Sequence, residues 1–159
     1  MKSAYVTLLG RSSWSLLNTY YAILNQGKFS PDIIHIFVED LYKDKLEKVL
    51  KGLQLLNESF CIHPTIETTI VNNDEIIPAK SSLNRYLKDL KNDGYTIALD
   101  ITPGRKALVA AALISAEKIG VNHIFYLAVD SIEDIPLLMK PGTILHLHDY
   151  LHEHVTGVG

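Results

Sequence analysis

The stretch DITPGRKALVAAAL, Asp100–Leu113, decides the fold, because it carries the chain from the apolar run YTIALDI (95–101) straight into an alanine-rich helix. Its turn places Thr102, Pro103, Gly104, Arg105 and Lys106 in succession. Thr102 can cap the helix, and Pro103 fits the first helical position, where its missing N–H would have no partner anyway. A structural cap is complete with those two residues. Arg105 and Lys106 are superfluous to it, and cations in a first helical turn oppose the macrodipole. Two of them together point to a bound anion, met by a planar fork from Arg105 and a mobile point charge from Lys106. The rival reading is that both side chains enter water as surface charge. Asp100, at the strand end, either takes a ribose hydroxyl or pins its own turn through backbone N–H groups.

Working outward, strand-like and helix-like segments alternate. AYVTLLG (4–10) is a β-rich run ended by Gly10. Residues 13–26 place Trp14, Leu17, Tyr21 and Leu24 on one helical face, with Ser12 or Ser13 available as N-cap. DIIHIFVED (32–40) is almost continuously apolar, as in a strand covered on both faces. A helix over about 42–58 turns Leu46, Val49, Leu50, Leu53 and Leu56 inward and Lys43, Lys45, Lys48 and Lys51 outward. TIETTIVN (65–72) alternates and is β-branched, which suits a half-exposed strand near an edge. Residues 79–92 form an amphipathic helix on Leu83, Leu87 and Leu90, closed by Asp93-Gly94. The helix after the opening turn runs to about Ile119, HIFYLAV (123–129) is a fifth strand, and TILHLHDYL follows a polar loop (130–143) as a last one. Such alternation specifies a parallel sheet with right-handed crossovers and helices on both faces, in a single domain over 1–159.

Ligands of such sheets lie at the carboxyl ends of the strands, where strand order reverses. If the first strand is central, that point is flanked by GRSSW (10–14) and ITPGRK (101–106). In the first of these turns Gly10 permits close backbone approach, Ser12 and Ser13 offer hydroxyls, and the helix N-terminus offers unsatisfied N–H groups. Capping accounts for one serine but not for Arg11 or the second. Neither turn carries G-x-G-x-x-G or G-x-x-x-x-G-K-[ST], which counts against dinucleotide dehydrogenases and P-loop ATPases.

The bulk properties narrow the field. With 159 residues, 47% hydrophobic and 21% charged, the composition is that of an ordinary globular domain. A net charge of −3 argues against a general nucleic-acid binder, so an anion must be held by local groups. The single Cys61 suits a reducing cytosol and reads as a small buried hydrophobe. No run approaches the roughly 18 apolar residues of a membrane span, and the N-terminus reads as a strand rather than a signal peptide. A cytoplasmic location is expected, with neither DNA nor membrane as partner. The tail HLHDYLHEH places His146 and His148 on one strand face, with His152 and His154 beyond and Asp149 and Glu153 among them. Metal sites need convergent ligands, and a histidine-rich terminus reads first as solvated, so no metal and no cofactor are expected. Tyr20, Tyr21 and Trp14 could stack a base, but helical spacing makes core packing the default for Trp14 and Tyr21.

At LLGRSSWS and LDITPGRKALVAAAL the chain resembles a CARF domain, the CRISPR-associated Rossmann fold. The second turn of that family is typically D-x-T-[GP]-G-[TR]-K, matched by Asp100, Thr102, Pro103, Gly104, Arg105 and Lys106. The resemblance covers nearly the whole chain in element order. It implies a Rossmann-like α/β three-layer sandwich with a mostly parallel central sheet and an antiparallel last strand. It also implies a homodimer that binds a cyclic oligoadenylate messenger of type III CRISPR immunity across its two-fold axis. Gly10, Arg11, Ser12, Ser13, Asp100, Thr102, Pro103, Gly104, Arg105 and Lys106 would line the pocket.

Signatures of the effectors fused to larger CARF proteins are missing. No Arg is followed by His at the spacing of a HEPN ribonuclease, DLK (89–91) falls in a helix rather than after a strand, and no basic helix-turn-helix follows the last strand. A CARF domain standing alone is similar to the ring nucleases, which degrade the messenger without metal. Lys106 and Arg105 would then stabilise phosphate charge, and Ser12 or Ser13, with Arg11, would orient the ribose. Neither turn supplies an evident general base, and His146 or His148 would serve only if the last strand reaches the pocket. The alternatives are a non-catalytic sensor that passes the signal to a separate effector, and an unrelated Rossmann-like enzyme acting on a mononucleotide or sugar phosphate.

Overall fold

A computed structural model describes residues 1–72, 76–129, 134–137, 140 and 143–153. The elements run β1 (Ser3–Leu9), α1 (Ser13–Asn25), β2 (Ile33–Glu39), a 3-10 segment (Asp40–Lys45), α2 (Leu46–Ser59) and β3 (Thr65–Val71). They continue with α3 (Ile76–Asn92), β4 (Thr96–Asp100), α4 (Lys106–Ile119), β5 (His123–Ala128) and β6 (His146–Asp149). Among the described residues the strands form one sheet ordered β3-β2-β1-β4-β5-β6. β1 to β5 pair in parallel, and β6 runs antiparallel to β5. No helix is long and apolar enough to cross a membrane among the described residues.

Alternation along the central strands divides the core in two. Ala4, Val6 and Leu8 of β1 join Phe37 of β2 and Leu83, Leu87 and Leu90 of α3, with Ala111 and Ala112 of α4. Tyr5 and Leu9 turn the other way, to Ile34, Ile36 and Val38 of β2 and to Leu16, Tyr20 and Leu53 of α1 and α2. Helices therefore cover both faces, and the three-layer α/β sandwich with an antiparallel last strand follows the expected pattern. β3, at the sheet edge, is half-exposed, as its alternation predicts.

Local departures have identifiable causes. The buried face of α1 is centred on Leu16, Leu17, Tyr20 and Ile23, so Trp14 and Tyr21 sit at its margins. The helix expected from residue 42 begins as the 3-10 segment, whose Tyr42 leaves helical geometry (φ −118°, ψ 16°). Lys45, expected to face outward, donates its Nζ to the Arg11 carbonyl. Cys61, expected to be buried, is exposed at positive φ in the turn after α2.

Candidate functional site

The turns after β1 and β4 meet at the carboxyl edge of the sheet, where strand order reverses between β1 and β4. Their contact is direct. A Cβ on Gly10 would lie 3.0 Å from the Pro103 carbonyl oxygen and 2.6 Å from Glu39 Oε2. Gly10 thus makes room for the second turn and for Glu39. A Cβ on Gly104 would fall 2.6 Å from Leu8 Cδ1, so that glycine seats the second turn on β1.

The first turn is closed by its own hydrogen bonds. Ser12 caps α1 by accepting from Ser15 N at 2.9 Å, and its hydroxyl donates to Asp134. Ser13 is buried as the first helical residue. Arg11 is exposed. Residues 134–137 lie along α1, where Asn18 donates to the Ile135 carbonyl (2.8 Å) and accepts from Leu137 N (3.0 Å).

The second turn is built differently from its expected form. Thr102 does not cap α4 and Pro103 is not its first residue, because the helix starts at Lys106 with Arg105 extended before it (φ −68°, ψ 159°). Asp100 Oδ1 takes the Thr102 N–H at 2.9 Å, and Thr102 Oγ1 accepts from Leu127 N of β5 at 3.0 Å. Both groups are therefore engaged below the helix start. Asp100 Oδ2 accepts from Tyr5 Oη (2.8 Å) and Thr7 Oγ1 (3.0 Å). Its residue exposure is 0%, so it pins the turn from within and presents no surface to a ribose. Burial pushes the Asp100 carboxyl up to about 6, against the pull of the donated hydrogen bonds. Pro103 is likewise buried.

Arg105, unexplained by local sequence, has a structural partner. Its Nε donates to Glu39 Oε1 at 3.0 Å, and its guanidinium carbon stands 5.8 Å from the centroid of the Tyr42 ring. The Glu39 side chain is only 3% exposed, and its Oε2 has no hydrogen-bond partner among the described residues. The sequence reading missed Glu39. Its signal was an acid closing a strand otherwise covered on both faces. Lys106 is exposed at the first position of α4, where the N-cap residue Arg105 makes no side-chain cap hydrogen bond and no acid occupies the first turn. Uncapped N–H groups and a positive dipole end beside an ammonium favour an anion.

Of the aromatic candidates, Tyr20 is in the core, bonded to Asn57 Oδ1 at 2.6 Å and packed on Tyr5. Tyr21 meets Phe60 edge-on. Trp14 is half-buried, with Lys48 Nζ 4.4 Å above its ring, at one end of an open groove of about 560 Å³ between α1 and α2. The histidines of the tail divide. His146 is exposed opposite Ala128, and His148 bonds Glu153 at 2.5 Å. β6 lies two strands from β4, and among the described residues no hydrogen bond joins either ring to the two turns. His154 lies outside the described residues. His123, at the start of β5, was not singled out in the sequence, yet it meets Asp149 and His152 in one cluster.

No protein-family model matches the sequence, and no curated protein aligns with it significantly. Solved structures do match. Can2 from Sulfobacillus thermosulfidooxidans, in complex with cyclic tetra-adenylate, superposes with a TM-score of 0.61 and 17% identity over 79% of this chain and 32% of its own. Enterococcus italicus Csm6 bound to cyclic hexa-2′-fluoro-hexa-dAMP gives 0.62 and 12% over 82% and 34%. The chain shares the Rossmann-like α/β fold of these two structures. VC1899 from Vibrio cholerae gives 0.63 and 12% over 79% and 30%. The chain spans about a third of the length of these neighbours.

Proposed function

We propose that the protein binds a cyclic oligoadenylate, cyclic tetra-adenylate in the first instance, across the two-fold axis of a homodimer in the cytoplasm. We further propose that it cleaves the ring and so ends type III CRISPR signalling. The observation that carries this reading is the mouth of α4, where Lys106 stands exposed at a helix start whose N-cap residue makes no side-chain cap hydrogen bond, beside the turn that holds Arg105. A four-fold symmetric ligand suits an isologous dimer, since each protomer presents the same two turns to it. The fold shared with Can2 and Csm6 supports the same ligand class.

The cleavage is an in-line displacement. A ribose 2′-oxygen forms a bond to the adjacent phosphorus as the P–O5′ bond breaks, leaving a 2′,3′-cyclic phosphate. The 2′-hydroxyl proton leaves to water and O5′ receives one from water. Lys106 stabilises the charge that develops on the phosphate, Arg105 adds to it from its seat on Glu39, and Ser12 with Arg11 orients the ribose. Gly10, Ser13, Asp100, Thr102, Pro103 and Gly104 shape and brace this surface. Catalysis therefore rests on geometry and electrostatics, with no metal in the step.

A second reading, a non-catalytic sensor acting on a separate effector, is favoured by Ser12, whose hydroxyl already serves as a cap and as a donor to Asp134. Incubation of the pure protein with cyclic tetra- and hexa-adenylate in EDTA separates the two. Conversion to a linear product with a 2′,3′-cyclic phosphate supports the ring nuclease. Binding with the ligand unchanged over hours leaves only the sensor. Absence of binding by either ring, with a monomer in solution, overturns both and favours an enzyme of mononucleotides or sugar phosphates.

A further inference from the structure

Where β5 begins and β6 ends, three potential ligands converge. His123 opens β5, Asp149 closes β6, and His152 follows in the turn beyond it. One ligand atom from each lies within 4.8 Å of the others. Asp149 Oδ2 is 2.7 Å from His123 Nδ1 and 4.0 Å from His152 Nε2. Tetrahedral zinc, with bonds near 2.0–2.1 Å, sets its ligand atoms about 3.3 Å apart, a value between those two separations.

The cluster is held in advance. Asp149 Oδ1 accepts from Ile124 N at 3.2 Å, which fixes the carboxylate while Oδ2 faces the rings. The His123 ring lies parallel to Phe125 (2°, centroids 5.6 Å), edge-on to Phe29, and stacked on His152 with centroids 4.7 Å apart. His152 Nε2 bonds the Asn122 carbonyl at 2.8 Å, which brings a further oxygen to the same place.

We propose that His123, Asp149 and His152 bind a divalent transition-metal ion of the zinc class, with the Asn122 carbonyl or a water completing its shell. Without metal, His123 Nδ1–H donates to Asp149 and His152 Nε2–H to Asn122. Metal binding moves each ring proton to the other nitrogen, so neutral rings become ligands with no net release of protons. The ion clamps the end of the four-residue edge strand and the turn after it to the start of β5. Thr102 of the second turn meets β5 at Leu127, four residues and roughly 13 Å along the strand from His123. The ion therefore stands apart from the ligand turns and acts on stability rather than on the cleavage step. Protons compete for the same nitrogens, so affinity falls in acid.

The test is titration of the EDTA-stripped, dialysed chain with zinc sulfate, read by calorimetry, by metal analysis after gel filtration and by thermal melting. One equivalent per chain and a raised Tm are expected. His152→Ala is the decisive variant, because that side chain is 58% exposed and its removal leaves the core untouched. It should weaken binding by more than the roughly 10- to 100-fold that loss of a group supporting a metal ligand costs. The double variant His146→Ala/His148→Ala, elsewhere on the histidine-rich tail, should keep the full equivalent. Absence of zinc uptake by the wild type, unchanged affinity in His152→Ala, or loss in the double variant alone would each overturn the site.

Discussion

The turns after β1 and β4 meet at the carboxyl edge of the sheet and are held by different partners. In the first, Ser12 caps α1 and bonds Asp134, and the Arg11 carbonyl accepts from Lys45, so the helix start has a side-chain partner. The second is fixed from beneath, by Asp100, Leu127 and Glu39, while the N-cap residue of α4 makes no side-chain cap hydrogen bond. A helix start that holds its own cap is a structural joint, whereas one pinned from behind and open in front is a receptor for charge. Under the proposed function, that difference makes Lys106 and Arg105 the pair to test first for anion recognition.

The largest expected effect tests that pair directly. Lys106→Ala should lower ring turnover by about 10²-fold or more, as loss of a preorganised electrostatic group does, and stability should stay within about 0.5 kcal/mol. Full activity in that variant would dissolve the contrast between the turns. The next effect measures how the second turn is pinned. The Asp100 carboxyl titrates near 6 in the fold against 3.8 for the free group, so the unfolded chain ionises first as pH rises. Stability should therefore fall by roughly 3 kcal/mol between about pH 4 and pH 6 and then level off. His35, lowered by burial, acts in the opposite sense as pH falls below 6.5, so the wild type must be compared with Asp100→Asn, in which His35 is unchanged. Urea denaturation of the pair at pH 4 and pH 7 should show the wild type losing ground; parallel profiles would mean that Asp100 is not held protonated.

Gly10→Ala sharpens the contact between the turns. The new Cβ meets Glu39 Oε2 and the Pro103 carbonyl, and a cost of about 1–3 kcal/mol in denaturant midpoint is expected. A neutral result would show that the second turn can retreat. The smallest effect belongs to Ser12→Ala, which should remove about 1 kcal/mol of helix capping and reduce turnover less than Lys106→Ala does. If it abolished turnover with stability intact, the first turn would be the chemical one.

What was legible in the sequence was what repeats or is local. The sheet and its helices follow from periodicity, and the Leu83, Leu87 and Leu90 face lies in the core as its spacing requires. The place of the two turns follows from strand order. What was missed depends on partners far away in the chain. Thr102 reads as a cap until Leu127 N takes its hydroxyl, and Arg105 reads as a spare cation until Glu39 is brought against it. Lys45 reads as surface charge until the Arg11 carbonyl arrives, and His123 has no meaning before Asp149 is its neighbour. Local rules treat each helix start as isolated, and tertiary hydrogen bonds override them.

The pairing of β1 with β4 sets the time at which the two turns can meet. Ser3 waits beside Thr96, and Val6 beside Leu99, so the chain's first strand finds its inner neighbour only after most of the intervening chain has been made. Such non-local closure is the slow part of folding in parallel sheets. During synthesis, β1 and β2 can assemble with α1 as an early unit, while the edge that receives β4 stays open. The meeting of the two turns is thus a late event in the folding of each newly made chain.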